Sequence, residues 1–456
     1  MAVKGRVRAV ALLFLLLFLG PLVHLSRFQV FQARTLSERP DNVRGMEELS
    51  LRGNLLDRAG GVLARTRGRE RVHPLGEAAG PLLGYRTNRL GAAGLEAALE
   101  DETAGRPIPR TPAEAFRLVA SGNRRGDDVV LTLDRKLQEE AWRLLDGSRG
   151  AAVVLDVPTG EILALASRPS FDPARLDQDW ERLRVDPDAP LIERGTQGLY
   201  PPGSTFKILI MAGALSEGRT RMDEEFTCTG SLDAGNFVLR DNAVHGRVDL
   251  ERALEVSCNS AFGTLGMRLG AEGIQKWMGA FGLLAPLPLV PGAAEARPPQ
   301  GQAPSVSAEA GIGQADLLVS PLAMARVTAT LARGGVDLAP RLIRARTRGG
   351  KVTWRPEPPE PERVVSEEVA GLVRTAMRGV VDRGTGGASA LPGVAVAGKT
   401  GTAENPAGRP HAWFVGYAPA EAPRVAVALI LENAGGGGAY AAPLAGRLLQ
   451  AALATP

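Results

Sequence analysis

Four short β-rich runs, set at opposite ends of one long stretch, constrain this chain more than any other feature. "GAAVVLDVPTGEILALAS" (Gly150–Ser167) holds two apolar runs around a P-T-G turn and reads as a hairpin. "HAWFVGYAP" (His411–Pro419) and "RVAVALILEN" (Arg424–Asn433) read as two more strands near the C-terminus. The segments between them are mostly helical in pattern. Strands at both ends with helices between imply one antiparallel sheet built from both chain ends, an α+β fold.

The flanking segments fit around that sheet. "DDVVLTLDRKLQEEAWRLL" (Asp127–Leu145) predicts a strand running into a helix, with Leu137, Ala141, Leu144 and Leu145 at helical spacing. Asp134 and Gln138 are expected to tie that helix down. "APLAGRLLQAAL" (Ala442–Leu453) predicts a closing helix, and "PLPLVPGAAEARPPQGQAP" (Pro286–Pro304) a proline-rich surface loop. Upstream, residues 28–126 are rich in Arg and Gly. There "RGNLLDRAGGVLA" (Arg52–Ala64) has the look of a hairpin and "GAAGLEAALE" (Gly91–Glu100) of a helix start, so a small α+β module is expected. No internal repeat is present. The division expected is 1–27, 28–126 and 127–456.

Residues 1–27 bear on location. "MAVKGRVR" carries three basic residues, and Ala9–Val23 is apolar and uncharged. A spanning helix needs roughly 17–25 residues, and His24 and Leu25 bring the run to the lower bound. Basic residues ahead of it place the N-terminus in the cytoplasm and the rest outside. A cleaved signal peptide is the rival reading, but no small-x-small cleavage site follows closely, which favours an uncleaved anchor.

Net charge is +4 and no basic run is interleaved with aromatics, so nucleic acid is not an expected partner. The two cysteines, Cys228 and Cys258, form no CxxC, and the four histidines are scattered, which argues against a structural zinc site. A Cys228–Cys258 disulfide in an oxidising compartment stays open, with free thiols the favoured reading. Lysine is rare, six against 48 arginines, yet Lys207 and Lys399 both fall in short polar motifs. Lysine, unlike arginine, can give up its proton.

In "GLYPPGSTFKILIMAGAL" (Gly198–Leu215), Ser204 and Lys207 stand at i and i+3 at the start of an apolar helix, on one face. Free N–H groups there favour developing negative charge. The pair can be a nucleophile and its base if the site lowers the lysine pKa. An N-capping serine beside a snorkelling lysine is the plainer reading of S-x-x-K alone. Two further segments outweigh it. "SCN" (Ser257–Asn259) follows the helical "VDLERALEV", and "KTGTAE" (Lys399–Glu404) follows the apolar "GVAVAG". The set S-x-x-K, S-x-N and K-T-G in that order is the active-site pattern of penicillin-binding proteins and serine β-lactamases. Between the triplets lie 49 and 139 residues.

Over nearly its whole length the sequence resembles the class B penicillin-binding proteins, monofunctional D,D-transpeptidases of peptidoglycan synthesis. The resembling segments include "RGNLLDRAGGVLA", "LTLDRKLQ", "YPPGSTFK", "HGRVDLERALEVSCN", "GIGQADLLVSPLAMA", "AGKTGTAE" and "HAWFVGYAP". The short N-terminal module is most similar to compact penicillin-binding protein A-like members. The resemblance implies a membrane anchor, a pedestal and a transpeptidase domain outside the plasma membrane. It also implies stem peptides as substrates, acylation by β-lactams, no cofactor or metal, and a SEDS-type glycosyltransferase partner.

Roles follow by resemblance. Ser204 attacks the penultimate D-Ala carbonyl and Lys207 takes its proton. Ser257 relays a proton to the leaving amine, and Asn259 holds the substrate amide beside Lys207. Lys399 supplies a positive charge and helps lower the pKa of Lys207. Thr400, Gly401 and Thr402 bind the terminal carboxylate, and the N–H groups of Ser204 and Thr402 form the oxyanion hole. His245, His411, Trp413 and Phe414 are expected to be structural, and Glu404 to line the groove. Ala315 stands where the family often has glycine, the hairpin reads D-V-P-T-G rather than D-P-x-T-G, and no second cysteine follows Cys228 closely. Two alternatives are a hydrolase of the same fold, either β-lactamase or D,D-carboxypeptidase, and an inactive scaffold. The region that would carry the E-x-x-L-N of a class A β-lactamase reads "AAEARPPQG" instead. Complete motifs argue against a scaffold.

Overall fold

The computed structural model describes residues 13–22, 24, 26–27, 52–68, 70–104, 125–287, 290, 292–406 and 408–455. Much of the 28–126 segment and both ends of the Ala9–Val23 run therefore lie outside the described residues. The part of that run described, residues 13–22, is helical, and its large apolar side chains are exposed. Among the described residues no helix is long and apolar enough to cross a membrane.

In chain order the principal elements start with β1 (Leu55–Leu56), β2 (Val62–Arg67), β3 (Asp128–Leu131) and α1 (Arg135–Leu144). The first hairpin of the central sheet follows, β4 (Gly150–Asp156) and β5 (Ile162–Arg168), then α2 (Lys207–Ser216), α3 (Leu250–Glu255) and α4 (Asn259–Ala280). Next come α5 (Pro304–Gly311), α6 (Pro321–Ala332), β6 (Ile343–Arg348) and α7 (Glu367–Asp382). The chain closes with β7 (Ala397–Ala403), β8 (His411–Ala418), β9 (Val425–Leu431) and α8 (Gly437–Leu453).

The central sheet has the order β7-β8-β9-β4-β5 and is antiparallel throughout. It is built from both chain ends, as expected. Its strands lack polar alternation because helices cover both faces. On β8, Trp413, Val415 and Tyr417 join the core that holds Leu209, Met211, Phe262, Met324 and Val380. The intervening Ala412, Phe414 and Ala418 join the other core, with Leu137 and Ala141 of α1 and Ala445, Leu448 and Leu449 of α8. A period of two thus divides one strand between two helical layers. Helix α2 is buried from Lys207 to Ala214, so it is a core helix that happens to begin with an amine.

Asp134 caps α1, its carboxylate accepting from the Leu137 N–H at 2.9 Å. Gln138 ties the same helix down through its side chain. Its buried amide donates to the carbonyls of Ala78 and Leu165 and accepts from the Leu165 N–H, so it stitches the N-terminal module to β5. The second sheet is also a composite. Its order is 351–354, β6, β3, β1, β2, 70–72, so strands distant in sequence share it. The expected hairpin is present as β1 and β2, and β1 runs parallel to β3. The proline-rich segment is not wholly on the surface, since Val290 is buried and Arg297 pairs with Leu318.

Candidate active site

Three elements converge on one open groove of about 1820 Å³, lined by Ser204, Ser257, Asn259, Thr400, Thr402 and Glu404 among others. The first is a 3-10 turn, Gly203–Phe206, that leads into α2 and carries Ser204. Gly203 has φ 54°, and a Cβ there would meet the Thr402 carbonyl at 2.9 Å. That turn and β7 therefore touch backbone to backbone. Gly401 serves the same approach from the other side, because a Cβ on it would meet Thr205 and Trp413, each at 2.9 Å. Trp413, fully buried beneath, donates its indole N–H to Pro201 O at 3.1 Å and props the Pro-Pro segment ahead of Ser204.

The second element is the turn between α3 and α4. Ser257 there has φ 60°, a left-handed conformation that costs a non-glycine residue roughly 1–2 kcal/mol. Asn259 opens α4. The third is β7, which carries Lys399, Thr400 and Thr402.

Their side chains form one network. Lys207 Nζ donates to Ser257 O at 2.8 Å, to Asn259 Oδ1 at 2.7 Å and to Ser257 Oγ at 3.3 Å. Lys399 Nζ donates to Ser257 Oγ at 2.9 Å and to Thr400 O at 3.0 Å. One hydroxyl thus bridges two buried amines. No hydrogen bond runs from Lys207 to Ser204 in this resting arrangement. The amine has three donors and three acceptors elsewhere, and it gains accepting capacity only on losing a proton.

Burial is what lowers Lys207, to about 7, against the opposing pull of Asp241 and Cys258. Lys399 lies well below its ordinary value, from burial first and then from the Lys207 charge. Repulsion between two buried amines is mutual, so each cation disfavours the other, and both lie below their ordinary values. Thr400 shares a 2.6 Å hydroxyl contact with Thr385, and the Thr402 hydroxyl accepts from Gly437 N–H at 3.3 Å.

The description "Penicillin binding protein transpeptidase domain" matches residues 150–450. The chain belongs to this family. It is 34% identical to the peptidoglycan D,D-transpeptidase PbpA of Mycolicibacterium smegmatis, with 98% of each chain covered. It is 32% identical to the MrdA transpeptidase of Escherichia coli, over 68% of this chain and 56% of that one. Among solved structures it is similar to penicillin-binding protein A of Mycobacterium tuberculosis in a ceftriaxone acyl-enzyme complex. There the TM-score is 0.80 and the identity 33%, over 90% of this chain and all of the other.

All eight site residues expected of a penicillin-binding protein, Ser204, Lys207, Ser257, Asn259, Lys399, Thr400, Gly401 and Thr402, meet at this groove or directly behind it. His411 lines the groove as well, and its Nδ1 accepts from the Asn433 N–H. Three residues escaped sequence reading. Thr385 reaches Thr400 from the segment after α7. Asp241 accepts from the N–H groups of Asn259 and Ser260 at 2.8 and 2.7 Å and so holds the start of α4. Phe262 lies under Lys207, 5.4 Å from Nζ to ring centre.

The two cysteines and one of the four histidines, apart in sequence, meet in space. Cys228 and Cys258 are free thiols, and with Asp241 and His245 they form one tight group beside the S-x-N turn. Thr385 and Asp241 carry no motif of their own.

Proposed function

We propose that this chain is a peptidoglycan D,D-transpeptidase that joins stem peptides through an acyl-enzyme on Ser204. The observation that carries the reading is the Ser257 hydroxyl held between the amines of Lys207 and Lys399, beside Ser204 in the groove. The likeness to peptidoglycan D,D-transpeptidases supports the reaction class.

Ser204 Oγ attacks the carbonyl of the penultimate D-Ala and its proton passes to Lys207, whose lowered pKa makes the free amine accessible near neutrality. The N–H groups of Ser204 and Thr402 take the oxyanion, a contribution on the order of a hundredfold or more in rate per donor. The terminal D-Ala leaves as an amine, protonated through Ser257, which touches both lysines. An acceptor amine then enters, gives its proton to the same relay and releases Ser204.

Lys399 is buried and its cation is disfavoured until an anion arrives. Binding of the donor carboxylate against Thr400, Thr402 and Lys399 supplies that anion and draws a proton onto Lys399. β-Lactams acylate Ser204 by the same attack. The exposed apolar helix at residues 13–22, behind the basic leader, supports a single membrane anchor with the catalytic domain outside the plasma membrane. The likeness to compact penicillin-binding protein A-like members supports a pedestal role for the N-terminal module, with glycan strands supplied by a SEDS-type glycosyltransferase partner.

The test is intact mass after benzylpenicillin. A one-to-one penicilloyl adduct is expected on the wild-type chain and none on Ser204→Ala. An adduct of equal yield on the alanine variant overturns the assignment.

A further inference from the structure

Elsewhere in the fold arginines match carboxylates. Arg52 and Arg71 hold Glu96, Arg326 holds Asp337, and Arg149 and Arg194 hold Glu432. One wall of the groove differs. Glu309, Asp316 and Glu404 line it, and among the described residues none of the three makes an ion pair or a side-chain hydrogen bond. Burial, and after it the charges of Asp316 and Glu404, push the Glu309 carboxyl up, so the three act on one another. Among the described residues they do not form a group tight enough to hold one metal ion. The backbone sets them together. Gly203 donates its N–H to Gly313 O at 2.9 Å, which brings the turn after α5, with Asp316, against the turn bearing Ser204. Glu404 follows directly on β7.

A second observation comes from His411, which stands opposite Ala403 in the β7–β8 register, one residue before Glu404. It is 8% exposed and lines the same groove. Its Nδ1 accepts from the Asn433 N–H at 3.1 Å, and burial holds its pKa down, so the ring is neutral with its proton on Nε2. Among the described residues that N–H has no acceptor. A nearly buried donor is seldom left without an acceptor, so a ligand oxygen is expected there.

We propose that this wall is the subsite for the diamino acid that precedes the penultimate D-Ala of the donor stem, with Glu309, Asp316 and Glu404 receiving its side-chain ammonium and the His411 Nε2–H donating to a backbone carbonyl of the same stem. The inference rests on the Ser204 acyl-enzyme reading and deepens it. The direction of the donor decides the place. Its terminal carboxylate lies against Thr400 and Thr402, and its reacting carbonyl lies at Ser204, whose turn abuts Thr402 and Ala403. The chain on the amino side of that carbonyl therefore continues past Ala403 toward Glu404. The reaction decides the charge. Each stem must in turn serve as an acceptor, so a stem not yet joined carries a free side-chain amine, an ammonium at neutral pH. In the donor that amine has to stay out of the reaction. Unpaired carboxylates favour its protonated form, which has no lone pair with which to attack.

The test uses the full chain in detergent, with active sites counted by benzylpenicillin labelling. The donors are Nα-acetyl-L-Lys-D-Ala-D-Ala and its Nα,Nε-diacetyl counterpart, and D-Ala release is followed with a D-amino acid acceptor present. At low salt kcat/KM for the free-amine donor is expected to exceed that for the diacetyl donor on the order of fivefold, and the ratio is expected to shrink as NaCl is added. Glu309→Gln combined with Glu404→Gln is expected to bring the ratio near one, and Glu404→Lys to take it below one. His411→Ala is expected to slow both donors alike, because a backbone carbonyl is common to both. A ratio near one in the wild-type chain overturns the subsite. A ratio that survives the double substitution overturns its assignment to these carboxylates, and wild-type peptide rates in His411→Ala overturn the histidine contact. The Ser204 reading fails differently. Its failure leaves Ser204 without a penicilloyl group, whereas failure here leaves a labelled enzyme that treats both donors alike.

Discussion

Charge is buried in two places in this molecule, and the two places treat it in opposite ways. In the N-terminal module Glu96 lies at the centre of a cationic shell. Arg52 reaches its carboxylate at 3.0 Å, Arg71 at 2.6 Å and His73 at 3.2 Å. Burial pushes the Glu96 carboxyl up, but the His73 hydrogen bond and the Arg71 and Arg52 charges outweigh it and hold the pKa at about 2. In the catalytic domain Lys207 and Lys399 are equally buried, yet no carboxylate bonds to either. Both are pushed down instead. A buried charge with matched partners is fixed and serves as a joint between strand and helix. A buried charge left with hydroxyls and carbonyls is poised to lose its proton, which is what a general base requires.

Exchanging the amines tests the contrast most severely. Lys207→Arg keeps a cation that cannot accept a proton, so acylation by fluorescent penicillin should fall by about 10²–10⁴-fold, nearly as far as in Lys207→Ala. An arginine variant that acylates at the wild-type rate would leave Lys207 an electrostatic role only. Next in size is the pedestal. Glu96→Gln leaves buried Arg71 without its carboxylate and Arg52 with Glu100 alone, and should cost about 3–5 kcal/mol by chemical denaturation. The acylation rate per folded molecule should remain near wild type, and a collapse of both together would erase the distinction between joint and catalyst.

A smaller effect follows from pH. A base is active when unprotonated, so with Lys207 at about 7 the acylation rate should climb with pH below that value, by about tenfold per unit, and level off above it. A flat profile from pH 5 to 9 with a non-titrating β-lactam would place the base elsewhere. The smallest effect belongs to Ala315, which holds φ 62°. Ala315→Gly should relieve that left-handed backbone and stabilise the chain by up to about 1 kcal/mol, read as a raised unfolding midpoint.

What the sequence disclosed, and what it hid, divides along the range of the interactions. The hairpin around P-T-G, the two C-terminal strands and the turn bearing Ser204 are local patterns, and they stand where the sequence placed them. The second sheet was not legible, because β3 and β6 come together from more than two hundred residues apart and neither strand names its neighbour. Ala315 keeps the positive φ expected of a glycine, so the surrounding packing overrides its own preference there. The Cys228, Asp241, His245 and Cys258 group was invisible for a related reason. Its members stand 13, 4 and 13 residues apart on two ribbons and a helix cap, so no compact motif announces them. Gln138 ties α1 down as expected, but one of its partners, Ala78, lies 60 residues upstream, and no local pattern names it.

Strand β7 has a neighbour on one side only, β8. A bare strand edge is usually a hazard, because any extended chain can dock on it. Here the turn bearing Ser204 and the Gly437 region stand against parts of that edge, and Thr400 and Thr402 open onto the groove. A peptide lying there as one further strand would be held first through its own amides and carbonyls, which every residue carries alike. Discrimination between ligands would then rest on the few positions that face the groove walls. An edge of this kind grips a class of extended chains firmly while remaining indifferent to most of their side chains.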